Sequence, residues 1–579
     1  MKKILKTSSP FAALALGIAC TTACTITPDD NGNEGEGEGE GEVVDLSDIS
    51  ADLTIDENTT ASGDINVNNG ATLTIAPGVT IRLGSGHWLR VEDGVLKAEG
   101  TEDEPITIRG VDDGAGRFLG VELSDGTRSG TSLSFVTIDG GGGEGFGARG
   151  CLLVDGVPAD RVSLADLTLK NCEDSALRLV GTTAPLAVFD RISIAASLVG
   201  VAVDAALIGE IDETITAEGV TRHEIVGGDV GISSTIVKQT SPFHVSGDLN
   251  VEGTGAPVLT IAAGNTLRFA SNKWLGIGGD GAGGLVSAGT AEAPVVLGSV
   301  DGGTATKGAW LGVRFQRDTL SDSSLTHTRV ESAGQEGFSM LGCITVTGVD
   351  GNRVALVDVT VAKCGLAGIG VDGNTDPFSA FDRVTIDDAT VGISAGIHTF
   401  ASIDEAPTLT AVTRHEITDA VMSEDVTLVK QTVPFIITRD FNVDGGATLT
   451  IEAGNELRFG SNFWLGIGIN AGGGRVVADG TAASPVVLGS IDTGSTGGAW
   501  LGVRFDDETL SGTRLTNTIV KQAGGEGSGM SGGVNVFGGG SNVTLDSVTF
   551  EDNDQADVFL RCGEEPTLID TTGAVVDDC

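Results

Sequence analysis

The chain of 579 residues contains no tyrosine and is poor in basic side chains, with 34 Lys and Arg against 80 Asp and Glu. The formal charge of −46 leaves little positive charge to neutralise phosphates, so no nucleic-acid partner is expected. After the first apolar run, no segment reaches the length of about 20 apolar residues that a transmembrane helix needs. The absence of tyrosine also removes one common sugar-stacking side chain.

Glycine and apolar residues, by contrast, are abundant. There are 88 glycines, 40% of the residues are hydrophobic and the mean hydropathy is +0.15. Such a chain can bury a core, so it is not a disordered acidic tail. Glycine at this level without a collagen period indicates many tight turns between short strands.

The N-terminus carries the pattern of an export signal. Three lysines near the start precede the apolar run 11–19, which is too short to cross a bilayer. Small residues then precede Cys20 and Cys24, and both sites resemble the lipobox of bacterial lipoproteins, without its preferred leucine three positions before the cysteine. The resemblance implies lipid attachment at Cys24 or Cys20 after removal of a signal peptide at 1–23. The alternative is an ordinary cleaved signal peptide.

An acidic segment follows the signal. Residues 24–45 contain a Gly-Glu run from 34 to 42 and have no apolar periodicity. Like charges extend such a segment, and it has nothing to bury. We expect it to be a tether between a membrane and a folded body.

The body is an internal repeat with a period of about 190 residues. Trp88, Trp274 and Trp464 lie in GHWLRV, NKWLGI and NFWLGI, and so recur at nearly equal spacing. A second motif, WLGVRF, recurs around Trp310 and Trp500, with RFLGVEL at the corresponding place in the first repeat. The predicted units are 46–236, 237–428 and 429–579, the last of them truncated.

Within each unit, short apolar–polar alternations such as TLTI and TIRL are separated by Gly, Asp, Asn and Pro, which predicts strands joined by turns. No segment has a helical period, so a solenoid fits better than a sandwich. Equivalent strands end at Leu169 and Ile194 and again at Val361 and Ile386. The two steps are equal, about 25 residues each, and we interpret this step as one coil.

These motifs, LTIxPGxxIxL, LxAxGTxxxPIxI and WLGVxF, resemble the right-handed parallel β-helix proteins of the pectate-lyase-like superfamily over about residues 50–579. The resemblance implies an all-β solenoid in which each coil contributes three short strands to stacked parallel sheets. At about 24 residues per coil, the body would have about 22 coils. The resemblance says little about activity, because this superfamily includes lyases, hydrolases and adhesins.

Six cysteines of the body fall into pairs. Cys151 and Cys172 have the same separation as Cys343 and Cys364, and both members are replaced together in the third unit, where Gly533 and Asn553 align. Joint loss is what a disulfide predicts, and neighbouring coils bring Cα atoms within bonding reach. Cys562 and Cys579 are left to lock the last coil. Buried free cysteines, stacked as a ladder, are the alternative.

Candidate catalytic groups recur with the repeat, which argues against a unique site. The triplet Arg-His-Glu at 222–224 and 414–416 could act in acid–base chemistry, but its duplication favours a structural turn motif. Glycine-rich loops repeat a carboxylate, interpreted as solvated; its positions are Glu144, Glu336 and Glu526. All five tryptophans occupy repeat-equivalent positions and are interpreted as packing residues.

One segment has the spacing of calcium ligands. Asp372, Asn374 and Asp376 place three oxygen ligands at i, i+2 and i+4. Pro377 stands where an EF-type loop needs glycine, and the first unit has no acids there. We therefore expect no cofactor, with calcium at this segment as the alternative.

Taken together, the sequence predicts an exported protein, anchored by its N-terminal lipid at a bacterial outer membrane or cell surface. Its role would be structural, adhesive or binding, with a polysaccharide or another cell-surface ligand as partner and no catalytic residues assigned. The alternative is a polysaccharide lyase or glycoside hydrolase on the same scaffold. A third hypothesis is adhesion stiffened by calcium, which acidic loops would bind collectively.

Overall fold

The computed structural model describes residues 42–143, 150–349, 351–373, 375–527 and 529–579. Strands make up 48% of the chain and helix 3%, and the strands pair in parallel ladders. The protein is therefore an all-β parallel β-helix, as the sequence predicts. The described residues from 42 onward belong to one compact body.

The strands alternate between inward apolar and outward polar side chains. In Ala71–Ile75 the first, third and fifth residues are buried and the two threonines between them are half-buried. This period of two orients aliphatic side chains into the solenoid and keeps threonine outside. The predicted coil step is confirmed by the ladder register, which pairs Leu169 with Ile194 and Val361 with Ile386.

The first two sheets contain the strands of the N-terminal part of the body and one wall of its middle part. Sheet 1 consists of Glu42–Val44, Leu53–Ile55, Thr59–Ala61, Ala71–Ile75, Thr80–Leu83, Gly94–Glu99, Ile106–Gly110, Thr131–Asp139, Val162–Lys170, Leu186–Asp190, Ser193–Ala195 and Thr216–Glu218. Sheet 2 consists of Ile65–Val67, Trp88–Val91, Gly120–Leu123, Leu152–Asp155, Ser175–Val180, Val199–Val203, Arg222–Ile225, Phe243–Val245, Thr266–Phe269, Val295–Ser299, Thr328–Glu331, Thr360–Ala362, Thr385–Asp387 and Thr408–Thr410.

Two further sheets run beside sheet 2 in the middle of the body. Sheet 3 consists of Gly228–Val230, Leu249–Val251, Trp274–Ile277, Gly312–Gln316, Gly342–Thr347, Ala367–Asp372, Val391–Gly396, Arg414–Asp419, Phe435–Ile437, Glu456–Phe459, Val486–Ser490, Thr518–Lys521 and Thr549–Glu551. Sheet 4 consists of Ser234–Ile236, Val258–Ala262, Gly284–Ala288, Ser323–Thr326, Val354–Val357 and Phe378–Asp382.

The C-terminal part adds two more sheets, and the described chain also forms short 3₁₀ helices. Sheet 5 consists of Val421–Met422, Phe441–Val443, Trp464–Ile467, Gly502–Phe505, Gly532–Val536, Ala556–Leu560 and Val575–Asp577. Sheet 6 consists of Val426–Leu428, Ala447–Glu452, Gly474–Asp479, Thr513–Thr516, Val543–Asp546 and Thr567–Ile569. The 3₁₀ helices are Ala205–Glu210, Gly302–Thr304, Ile397–Ser402 and Gly540–Asn542.

The strand Glu42–Val44 belongs to the solenoid, because it pairs with Thr59–Ala61 in sheet 1. The folded body thus includes residues that the sequence assigns to the acidic tether at 24–45. A strand can form there because the neighbouring coil supplies backbone partners, which composition does not reveal.

Corresponding strands of the sequence repeats lie in different sheets. The strand that begins with tryptophan lies in sheet 2 for Trp88, in sheet 3 for Trp274 and in sheet 5 for Trp464. The chain passes the walls of the solenoid in a fixed order. The corresponding strand of the next repeat therefore lies on the next wall. The equivalent surfaces of successive repeats therefore face three different sides.

Aromatic pairs fill the interior at two equivalent places. The rings of Phe269 and Trp310 stack with centroids 4.4 Å apart, and those of Phe459 and Trp500 stack at 4.7 Å. Both indoles are fully buried, and each donates its N–H to a backbone carbonyl, that of Glu331 at 2.9 Å in the first pair. This hydrogen bond satisfies the one polar group that the indole brings into the core.

Candidate functional site

The predicted lipid site cannot be placed. Cys20 and Cys24 lie outside the described residues, as do the whole signal peptide at 1–23 and the loop carboxylate Glu144. Among the residues that are described, no helix has the length and apolarity to cross a membrane. Lipid attachment stays a prediction from the sequence.

Within the described residues, the structure contains three disulfides, in the pairing that the cysteine spacing predicts. They join Cys151 to Cys172, Cys343 to Cys364 and Cys562 to Cys579. The first two have the same Cα–Cα distance, 5.6 Å, and lie in the buried core. These cysteines are covalently paired structural groups, not a ladder of free thiols.

The Arg-His-Glu triplets form strands rather than the turns expected from their sequence. His223 and His415 are fully buried, and the Nδ1 atom of each accepts a backbone N–H, from Val201 at 3.2 Å and from Ile393 at 3.0 Å. Burial lowers the pKa of both imidazoles to about 4. They are neutral core side chains out of reach of a substrate.

The remaining repeated carboxylates are at the surface. Glu336 and Glu526 are exposed in their glycine-rich loops, which agrees with their interpretation as solvated groups.

The calcium candidate is only partly described, because Asn374 lies outside the described residues. Asp372 is exposed. With the Asn352 amide oriented to suit its neighbours, its nitrogen donates to Asp376 Oδ2 at 3.3 Å and to the Phe378 carbonyl at 2.9 Å. Within the described ranges, the acidic and sulfur groups close enough to share a metal ion are Cys562, Cys579 and Asp577, and there both cysteines are in a disulfide.

The structure divides the five tryptophans into two classes. Trp310 and Trp500 are fully buried packing residues, as the sequence predicts. The other three, Trp88, Trp274 and Trp464, are half-buried and lie on the outside of the solenoid. In these three tryptophans, contacts within the protein cover only part of the ring surface.

Each outer indole is held by an asparagine of the preceding coil. The Nε1 atoms donate to Asn66 Oδ1 at 3.2 Å from Trp88, to Asn250 Oδ1 at 2.8 Å from Trp274 and to Asn442 Oδ1 at 3.0 Å from Trp464. The N–H of every outer indole is therefore already satisfied within the protein. We call these three Trp–Asn pairs the tryptophan sites.

A glycine lies beside each outer tryptophan in the next coil. Gly120, Gly312 and Gly502 pair in register with Trp88, Trp274 and Trp464 respectively. All three glycines have positive φ, and a Cβ at Gly312 would lie 2.4 Å from the Cys343 carbonyl oxygen. Only glycine fits there. The Trp88 ring packs against the buried cluster of Leu119 and Leu153, and the Trp464 ring packs against that of Leu501, Met530 and Phe537.

Arginines lie near the tryptophan sites. Carboxylates of the protein neutralise the charges of two of these arginines. The Arg90 guanidinium lies 5.3 Å from the Trp88 ring and forms ion pairs with Glu92 and Glu122, both at 3.1 Å. Burial is the main reason why the pKa of Glu122 is raised. Because of the two ion pairs, the positive charge of Arg90 beside Trp88 is balanced by carboxylates of the protein.

The Trp464 site is lined in a similar way. The Arg504 guanidinium lies 5.8 Å from the Trp464 ring and 5.0 Å from that of Phe537, and its Nε donates to Asp506 at 3.0 Å. Phe559 lies 5.9 Å from Phe537 and extends the aromatic surface. Here too a nearby carboxylate of the protein neutralises the guanidinium.

The Trp274 site has an exposed aromatic neighbour. Phe338, which is 62% exposed, meets the Trp274 ring edge-on at 5.3 Å, and its carbonyl accepts a hydrogen bond from Arg314 Nη1 at 3.1 Å. Partial burial lowers the pKa of Arg314, against the opposing effect of the Asp372 carboxylate. Two aromatic rings thus form an exposed corner with a polar edge.

A surface cavity of about 420 Å³ lies where the first two sequence repeats meet. Its lining includes Asp212 and the hydroxyl side chains of Ser233, Ser234 and Thr235. Glu210, two positions before Asp212, is half-buried, and burial raises the pKa of its carboxyl. A carboxyl with a raised pKa near a second carboxyl group is a combination that acid–base chemistry uses.

Sequence reasoning missed the tryptophan sites because it treated all five tryptophans alike. A signal was present: an asparagine precedes each outer tryptophan by 22 to 24 residues, whereas the indoles of Trp310 and Trp500 donate to backbone carbonyls. The raised pKa of Glu210 had no such signal, since it arises from burial.

Comparisons with protein-family models, with curated proteins and with solved structures give no match to this chain.

Proposed function

We propose that this chain is an exported, lipid-anchored β-helical protein of a bacterial outer membrane or cell surface, with an adhesive, binding or structural role. The observation that carries the binding role is the tryptophan site, which occurs once on each of three sheets. Half-exposed aromatic rings fixed in place by side-chain hydrogen bonds are typical of preorganised binding surfaces. The finer relationship to the pectate-lyase-like superfamily is part of this proposal.

The anchor is supported by the sequence before residue 42. A basic start, a short apolar run and two cysteines after small residues are followed by an acidic segment suited to a tether. One acyl chain alone holds a protein only weakly at a membrane, so stable anchoring would need more than one chain on the modified cysteine.

Metabolic labelling with a radioactive fatty acid tests the anchor. Wild type should incorporate label, and the Cys20→Ala/Cys24→Ala variant should incorporate none. The single variants show which cysteine carries the lipid. We expect Cys24, because lipidation of Cys20 would leave Cys24 as a free thiol beside the six disulfide-bonded cysteines. Absence of label in wild type would overturn the lipoprotein proposal.

A second candidate function is polysaccharide cleavage, and the cavity lined by Asp212 favours it. Glycoside hydrolases use one carboxyl group with a raised pKa and one ionised carboxylate. Glu210 would take the first role, since burial raises its pKa, and Asp212 is the carboxyl group that lines the cavity. Reducing-end release from a polysaccharide panel, with and without calcium, tests it; Glu210→Gln should abolish any activity, and Glu336→Gln, in an exposed loop, should leave it intact.

A further inference from the structure

We propose that the three tryptophan sites bind pyranose rings of a neutral polysaccharide, one site on each wall, so that a single molecule bridges separate polymer strands. This inference rests on the proposed binding role and specifies its ligand. It uses Trp88, Trp274 and Trp464 together with their asparagine partners.

The chemistry of the ring surface indicates a sugar. Each indole has used its only donor on asparagine, so the exposed part of the ring is purely apolar. The C–H face of a pyranose can cover such a ring while its hydroxyls reach polar atoms at the edge. Each ring is half-buried, so part of its surface stays open to such a ligand.

The charges favour a neutral polymer over an acidic one. Arg90 and Arg504, the guanidiniums that lie over two of the rings, are paired with carboxylates of the protein. The body around them is strongly acidic, with a chain charge of −46. A polyanion would therefore be repelled at low ionic strength, and the cations at the Trp88 and Trp464 sites are already neutralised.

The arrangement on the solenoid indicates bridging. Successive sites are about 190 residues apart in sequence, and a coil takes about 25 residues where the register shows it directly. At about 4.8 Å per coil, neighbouring sites are roughly 35 Å apart along the axis. Because each site also lies on a different sheet, a straight polymer lying along one wall reaches only one of them.

The test uses the full chain, purified in detergent, with soluble dextran, amylose, galactomannan and xyloglucan oligosaccharides as neutral probes. Calorimetry and tryptophan fluorescence should show binding of at least one probe with three equivalents per chain. Each single variant, Trp88→Ala, Trp274→Ala or Trp464→Ala, should lose one third of the binding capacity, and the triple variant should lose all of it. Polysaccharide-coated beads should agglutinate with wild type and not with any variant that retains only one site.

Two controls make the outcome decisive. Trp310→Phe changes a fully buried ring and should keep all three equivalents. Polygalacturonate, which is the acidic probe, should not bind at low salt. Binding of none of the neutral probes, binding only of polygalacturonate, or unchanged capacity in the triple variant would each overturn the inference. Acylation plays no part in this assay, so a failed lipid-labelling experiment and a failed sugar-binding experiment are distinguishable.

Discussion

Gly533 and Asn553 contact each other at the place where the earlier repeats have a disulfide. A Cβ at Gly533 would lie 3.0 Å from the Asn553 side-chain nitrogen, and the oxygen of that side chain accepts the N–H of Ala523 at 2.9 Å. Gly533 lies in a strand that pairs with Gly502–Phe505, as Cys343 lies in a strand that pairs with Gly312–Gln316. A hydrogen-bonded amide thus replaces a covalent bond between the same two coils.

This relationship predicts that the lost disulfide can be restored. The variant Gly533→Cys/Asn553→Cys should oxidise spontaneously, because the two positions are in contact and Gly533 does not need a left-handed backbone. Intact mass under non-reducing conditions, before and after thiol alkylation, measures the bond. Each single variant serves as the control, and a double variant that remains fully alkylatable would contradict the equivalence of the repeats.

Removal of a native disulfide should destabilise the solenoid. Cys151→Ser/Cys172→Ser opens a loop with a sequence separation of 21, for which the loss is about 3 kcal/mol. The free energy of unfolding is measured with urea. The same loss is expected for the pair Cys343→Ser/Cys364→Ser, which has the same loop length. A midpoint equal to that of wild type in both cases would show that the bonds do not contribute.

The two tryptophan classes should respond differently to truncation. Trp500→Ala removes a buried ring stacked on Phe459 and should cost about 3 to 5 kcal/mol. Trp464→Ala removes a half-buried ring and should cost clearly less, since part of that surface is already in water. Thermal melts of the two variants provide the comparison. Equal losses would mean that the outer rings are packing residues as well.

The buried histidines should make stability fall in mild acid. In the folded protein the pKa of His223 and of His415 is about 4, whereas an exposed histidine has about 6.5. The unfolded chain therefore binds more protons between these values, and stability present above about pH 6.5 is lost as the pH falls towards 4.

The matched comparison is wild type against His223→Gln/His415→Gln. Urea midpoints at pH 7 and pH 5 should differ by less in the variant, which lacks the two groups that take up protons on unfolding. If the variant loses as much stability as wild type over this range, the acid sensitivity comes from other groups.

Calcium should stabilise this protein mainly by screening the repulsion between its acidic groups. The Asp376 carboxylate is engaged by Asn352, and the acidic groups are spread over a chain of net charge −46. Melting temperatures in calcium chloride and in sodium chloride of equal ionic strength should therefore rise by similar amounts. A rise that is specific to calcium and absent in Asp372→Asn/Asp376→Asn would instead establish the predicted site.

Much of the fold could be predicted from local patterns. The alternation of buried and exposed residues in strands such as Ala71–Ile75 and the coil step from Leu169 to Ile194 are visible in the sequence and agree with the structure. The disulfides followed from spacing and from joint loss in the third repeat. Each of these depends on residues within one or two coils.

What escaped prediction depends on the three-dimensional path of the chain. The duplication of the Arg-His-Glu triplets favoured a turn motif, but His223 is buried and its neighbours are half-buried, in the alternation of a strand. The exposure of Trp88 differs from that of Trp310 only because the first points out of a coil and the second into it. The shift of each repeat to another wall arises because a repeat does not contain a whole number of coils.

Cell-surface display is the central claim, and antibody labelling of intact cells tests it most directly. An antibody raised against the β-helical body should label intact, unpermeabilised cells, and the Cys20→Ala/Cys24→Ala variant should be lost from the cell surface. A cytoplasmic protein provides the integrity control. Labelling that appears only after the cells are permeabilised would contradict display at the cell surface.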